Sequence, residues 1–255
     1  MCTAGFVGMT AYRRPAYSSG ERPTARRDRG TLAGVDVRSL LADVAGLGLF
    51  FAVGTGRGER ALDDVEPVRD RIAHVGAVLH CDERVAASLA FQGFAAQLVS
   101  APYAAAVLHG RVPEVTPSAM WWSRSPEGGW AAQTTATAVV GGDALPALLA
   151  GLLAPLVAAF RARVPVAERL LWGNAASTLA AAKRLLVVQR AAVAGRAADV
   201  AEAVLGHGPF AGAGELLPPR HPDRVWTFRR HSCCLYYRVP GGGLCDDCVL
   251  SPRGA

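Results

Sequence analysis

Apolar side chains recur at three- and four-residue steps through most of this chain, the spacing that lines one face of an α-helix. Val37, Leu40, Leu41 and Val44 open the pattern, with Asp36 placed to cap the helix they predict. Val85, Leu89, Phe91, Phe94, Leu98 and Val99 carry it through a helical region at 66–110, which Pro102 is expected to interrupt. A further helix is predicted from Gly142-Asp143 to Phe160. The next one is long, with residues 170–177 at its head and Leu179, Ala182, Leu186 and Val193 as its apolar stripe. Lys183, Arg184 and Arg190 populate its other faces. Residues 199–205 read as a shorter helix, closed by Gly206 and Gly208.

Strand signals are fewer. The apolar run 47–53 reads as a short strand leading into Gly54-Thr55-Gly56-Arg57-Gly58. That loop resembles a dinucleotide-binding turn, but Glu59 stands where the third glycine belongs and no βαβ alternation follows, so a flexible turn is the reading. Residues 119–123 and 130–140, separated by Pro126 and Gly128-Gly129, predict two strands of a small antiparallel element. Trp121, Trp122 and Trp130 lie there, as core packing or as an apolar wall for a bulky ligand. From Pro218 the chain reads as basic loop. The fold class expected is mainly α with a small antiparallel β element (α+β), a helical body ending in a Cys-rich loop.

Composition narrows the function. The formal net charge is +6, but residues 1–30 hold six arginines against Glu21 and Asp28 and so carry most of it. A near-neutral body behind a basic tail lacks the clustered charge of a nucleic-acid-binding domain. The segments expected are a disordered basic tail at 1–30, a helical body at 31–219 and a cysteine-bearing segment at 220–255. The longest apolar run, 144–160, is broken by Pro146 and Pro155, which favours a buried core helix and no transmembrane segment. With no signal-peptide order at the start, a cytoplasmic protein is expected.

The chemistry concentrates near the end. Four of six cysteines fall in one short stretch, Cys233, Cys234, Cys245 and Cys248, spaced C-C-x10-C-x2-C. Soft thiolates at this density suit an iron–sulfur cluster, a zinc site or thiol redox chemistry. An adjacent pair makes a poor zinc knuckle, because neighbouring side chains in extended backbone diverge. Two irons sharing four thiolates tolerate that divergence better. Arg229, Arg230 and Arg238 would offset the negative charge of such a cluster, and Gly241-Gly242-Gly243 would let backbone amides approach sulfur. Tyr236 and Tyr237 could shield it, and His231 is an alternative ligand. His74, His80 and Cys81 read as structural.

Cys233-Cys234-Leu235-Tyr236-Tyr237-Arg238 followed by Cys245-Asp246-Asp247-Cys248 resembles the C-terminal signature of the ferric-siderophore reductase family, the FhuF-like proteins. Leu171-Trp172-Gly173-Asn174-Ala175-Ala176-Ser177 is similar to that family's helix-head motif. The resemblance runs from about Val35 to Val249. It implies a [2Fe-2S] cluster held by the four cysteines, which is the whole catalytic apparatus. It implies, too, one-electron reduction of ferric iron in imported siderophores and release of ferrous iron. Trp172, Asn174 and Trp226 are candidate substrate contacts, Asn174 having an alternative reading as a helix N-cap. No stretch resembles a flavin or nicotinamide site, so an external donor such as a ferredoxin or flavodoxin-type reductase is implied. The rival readings are a zinc-stabilised binding module and a non-catalytic iron–sulfur or siderophore sensor.

Overall fold

The computed structural model describes residues 36–125, 129–223 and 225–251, so the basic tail expected at 1–30 lies outside the described residues. The helices are α1 (Val37–Ala45), α2 (Val65–Leu79), α3 (Glu83–His109), α4 (Leu145–Arg163), α5 (Glu168–Gln189) and α6 (Ala194–Leu205). The strands are β1 (Gly54–Thr55), β2 (Arg60–Ala61), β3 (Arg111–Pro113), β4 (Met120–Arg124), β5 (Trp130–Thr134), β6 (Val139–Gly141), β7 (Gly214–Leu217) and β8 (Thr227–Arg230). Helices dominate, with small sheets at their margins, which is the α+β class expected.

α3 is the axis. It packs along α5, α2 and α4, and most of its length is buried on every side. Its alanines and glycine (Ala86, Ala87, Ala90, Gly93, Ala95, Ala96) keep the neighbouring helices close. Asp36, Asp64 and Asp82 cap α1, α2 and α3 by accepting backbone N–H groups. Phe94 stacks on Trp122 of β4 at 4.2 Å between ring centroids, and Phe91 and Phe94 both meet Phe160 of α4 edge-on. Trp122 and Trp130 are therefore core residues. Trp121, on the other face of β4, lies under the Arg57 guanidinium at 4.5 Å.

Several expectations are corrected. Pro102 does not interrupt α3, which runs on to His109. An interior proline costs about 3 kcal/mol of local helix stability, and burial of both flanking turns outweighs that. The run 47–53 forms a single 3-10 turn at Leu49–Phe51, buries Phe51 and joins no sheet; Gly48 enters the turn at φ +120°, a conformation that favours glycine. The glycine loop after it is a close-packed crossing, since a side chain at Gly58 would meet the Trp122 carbonyl at 2.6 Å. The strand expected at 130–140 divides: β5 pairs with β4, while β6 turns away to pair with β3. The basic loop after Pro218 contains β8, antiparallel to β7, and this pair crosses the expected 219/220 boundary.

By length and composition, α3 and the stretch Gly142–Arg163 are apolar enough to cross a membrane. In α3, 83% of the apolar window is buried inside the protein, which makes it a core helix. α4 runs through Pro155 and buries Leu145, Leu149, Leu152, Leu153, Leu156, Val157 and Phe160, leaving its outer positions to Ala147, Gly151, Ala154 and Ala158.

Lys183, expected on an outer face of α5, is instead buried against the loop before β8. Its ammonium pairs with Asp223 at 2.9 Å, donates to the Trp226 carbonyl and sits 3.6 Å from the Trp226 ring centroid. Burial pulls its pKa below the usual lysine value, and Asp223 opposes that. Asp223→Ala would leave the ammonium unpaired in the interior. It should lower unfolding free energy by about 3–5 kcal/mol, and adding Lys183→Met should recover part of the loss in denaturant unfolding.

Candidate metal centre

The C-terminal segment is moulded onto the N-terminal halves of α3 and α5. β8 delivers the chain to the site, and the Arg230 backbone N–H bonds the Asp247 carbonyl at 3.0 Å, bringing the two cysteine pairs together. Cys234 and Cys248 are buried, while Cys233 and Cys245 are partly exposed. All four are free thiols. The Cys234 and Cys245 sulfurs are 3.6 Å apart. The Leu235 N–H donates to Cys233 Sγ at 3.3 Å and the Leu250 N–H to Cys248 Sγ at 3.4 Å.

Electrostatics follow from that geometry. With Cys245 donating, the shared hydrogen bond pulls Cys234 down to about 6 against the burial that would raise it, and Arg230 helps. The same bond, with burial and Asp247, pushes Cys245 up. Burial raises Cys233, and the neighbouring Cys234 and Cys248 thiolates add to it; the Leu235 N–H and Arg230 oppose. Cys233, Cys234 and Cys245 feel one another's surroundings and the one cation beside them, the setting of thiols that bind metal.

The surroundings fit a binuclear centre. Among the described residues no three His, Cys, Asp or Glu side chains converge on a single metal-sized point. A [2Fe-2S] centre asks for less, because its four thiolates are divided between two irons. Backbone N–H groups directed at sulfur are the contacts that stabilise thiolate ligands and tune them. They come from Leu235, Tyr236 and Leu250, not from the glycine triplet as expected. The glycines serve the turn: Gly241 has φ +70°, and a Cβ at Gly242 would meet the Tyr236 and Val239 carbonyls at 2.7 and 2.8 Å.

Of the three arginines, Arg230 is the one whose charge is felt at Cys233, Cys234 and Cys245. It is 1% exposed. Its Nε and Nη2 both lie 3.1 Å from Asp247 Oδ2, its Nη1 donates to Asn174 Oδ1 at 2.7 Å, and its Nη2 donates to Ser177 Oγ. Burial works against its charge, but Asp247, Cys234 and Cys245 outweigh it and hold the guanidinium ionised. Arg229 instead ties down the end of the segment through the Val249 and Ser251 carbonyls at 2.9 and 2.8 Å. Arg238 pairs with Asp82, the α3 cap, at 2.9 Å.

The helix motif acquires a physical meaning here. Asn174 is not an N-cap; it lies inside α5, fully buried, donating to the Ser88 carbonyl and hydroxyl at 2.8 and 3.0 Å while accepting from Arg230. Ser88 in turn donates to the Cys234 carbonyl at 2.7 Å. Gly173 allows the cysteine loop to touch the helix, since a side chain there would collide with Ser232 Oγ. Ser88, Ser177 and Asp247 were not singled out from sequence; the i, i+3 spacing of Asn174 and Ser177 was the signal for one of them.

Trp172 and Trp226, expected beside the substrate, are buried at 6% and 5% exposure and offer little face to a bulky chelate. Trp172 packs edge-on against Phe210 and bonds Glu168; Trp226 bonds Glu202 and covers Lys183. His231 is turned to the Gly212 carbonyl at 2.9 Å, away from a ligand role. His74 and His80 are exposed, and His80 closes α2 in the left-handed conformation.

Buried thiols, N–H donors on sulfur and one buried cation together define an iron–sulfur segment. Residues 230–250 match the family model described as the FhuF 2Fe-2S C-terminal domain. The segment is thus FhuF-like and its cofactor is a [2Fe-2S] cluster. No curated protein matches the chain.

Replacing Cys233, Cys234, Cys245 or Cys248 by serine should abolish or bleach the visible absorption of anaerobically purified protein, whereas Cys81→Ser should leave it intact. Gly173→Ala should turn the Ser232 hydroxyl off the Arg169 carbonyl and loosen the loop's contact with α5, read as bleaching under a ferrous chelator; because that hydroxyl can rotate, the effect should be smaller than that of any of the four cysteine replacements.

Proposed function

We propose that this chain is a ferric-siderophore reductase of the cytoplasm. The observation that carries the reading is the FhuF-type cysteine quartet, held half-buried with its cation beside it. A [2Fe-2S] cluster, when bound, supplies single electrons. The chain's own residues keep Cys234 and Cys248 away from water and leave Cys233 and Cys245 at the surface, where electrons can enter and leave. The same segment exposes Tyr237, Leu244 and Leu250, at 50%, 41% and 51%, apolar surface on which a chelate or a donor protein can rest.

The reaction suits this architecture. Ferric iron is a hard ion gripped by the oxygens of a siderophore, and one electron converts it to the softer ferrous ion, which such oxygens hold less tightly. Protons from water then occupy the vacated chelator oxygens. The surface edge serves for contact alone, since no cysteine has to leave its metal. An external one-electron donor of the ferredoxin or flavodoxin-type reductase class completes the cycle.

Chemically reduced protein mixed anaerobically with a ferric hydroxamate should be reoxidised while a ferrous-specific dye captures one iron per electron. Stable reduced protein, with no ferrous iron released from hydroxamate or catecholate complexes, would point to a sensor. Colourless protein with one zinc and no acid-labile sulfide would point to a binding module.

A further inference from the structure

Arg230 does more than balance charge somewhere near the cysteines, because its direction is fixed. A guanidinium on a strand end could swing toward solvent or lie flat along Asp247. Here Asn174 Oδ1 and Ser177 Oγ, one turn apart on α5, take its two terminal nitrogens, and Asp247 takes the Nε edge. Asn174 is itself fixed by Ser88. We propose that Asn174 and Ser177 are positioning residues that hold the Arg230 guanidinium beside the cysteine loop and thereby set the midpoint potential of the cluster.

Reduction adds one negative charge to the cluster, so a cation held beside it stabilises the reduced form and raises the potential. In a site this buried, a fixed charge is poorly screened and its direction counts. Asp247 pairs with the guanidinium and offsets part of its charge, so the field left at the cysteines depends on where the guanidinium is held. The two neutral acceptors on α5 hold the cation without cancelling it. Asn174 suits that task better than a carboxylate because its amide also donates to Ser88, which grips the Cys234 carbonyl. The helix motif therefore acts on the cluster through Arg230.

The proposal rests on the iron–sulfur reading and is tested by redox titration of full-length, anaerobically reconstituted protein followed by EPR. Asn174→Ala should lower the equilibrium constant for reduction about tenfold, a shift of about 59 mV for one electron. Ser177→Ala should lower it about threefold. Ser232→Ala is the control: it frees the same loop from the Arg169 carbonyl without touching Arg230, and it should leave the potential unmoved. Fully loaded Asn174→Ala and Ser177→Ala proteins with unmoved potentials would overturn the proposal, as would an equal shift in Ser232→Ala. Should Asn174→Ala fail to hold iron, Ser177→Ala decides by the same criterion. Unmutated protein with no EPR signal on reduction would remove the iron–sulfur reading itself, a different result from an unmoved potential.

Discussion

An ionised guanidinium sealed inside a protein needs acceptors on its donor edges, and Arg230 obtains them from two separate parts of the chain, one of them braced by a third. Asp247 comes from the cysteine segment itself, Asn174 and Ser177 from α5, and Ser88 on α3 holds Asn174 in place. Breaking such a network would leave a charge without compensation, at a cost of several kcal/mol. The position of the cysteine loop is therefore tied to the helical body through this one side chain, and α3, the helix at the centre of the core, is tied to the metal centre.

That dependence separates this segment from a self-contained metal knuckle. In a zinc ribbon the metal organises a short loop largely by itself. Here the second layer belongs to the body: Ser88 grips the Cys234 carbonyl, Gly173 lets the loop approach, and the Lys183–Asp223 pair anchors the chain just before β8. The body thus sets the electrostatics of the centre as well as its position. Buried Cys234 and Cys248, partly exposed Cys233 and Cys245 and one buried cation belong to the same small segment.

Much of this was legible in the sequence, and for definite reasons. The cysteine spacing is a covalent fact, and the choice of soft ligand follows from chemistry alone. Helical periodicity located α1, α3, α4, α5 and α6 because apolar faces must repeat with the helix turn. Where these inferences failed, long-range packing overrode local preference. Pro102 is carried by a helix buried on every side, and the run 47–53 is too short for periodicity to distinguish a strand from a turn. β7 and β8 pair across a nine-residue interval of polar and proline-rich chain that local patterns read as loop.

By itself, the sequence determined which atoms could bind the metal, the helical class of the body and the resemblance carried by two short motifs. It could not assign partners to charged side chains, because nothing local distinguishes Arg230 from Arg229, or Lys183 from Arg184. Tertiary structure decided that one arginine is buried against Asp247, Asn174 and Ser177 while its neighbour straps the chain end. Burial is a property of the assembled fold. Once a charge is buried, its few available partners fix the geometry that its exposed neighbours never have to adopt.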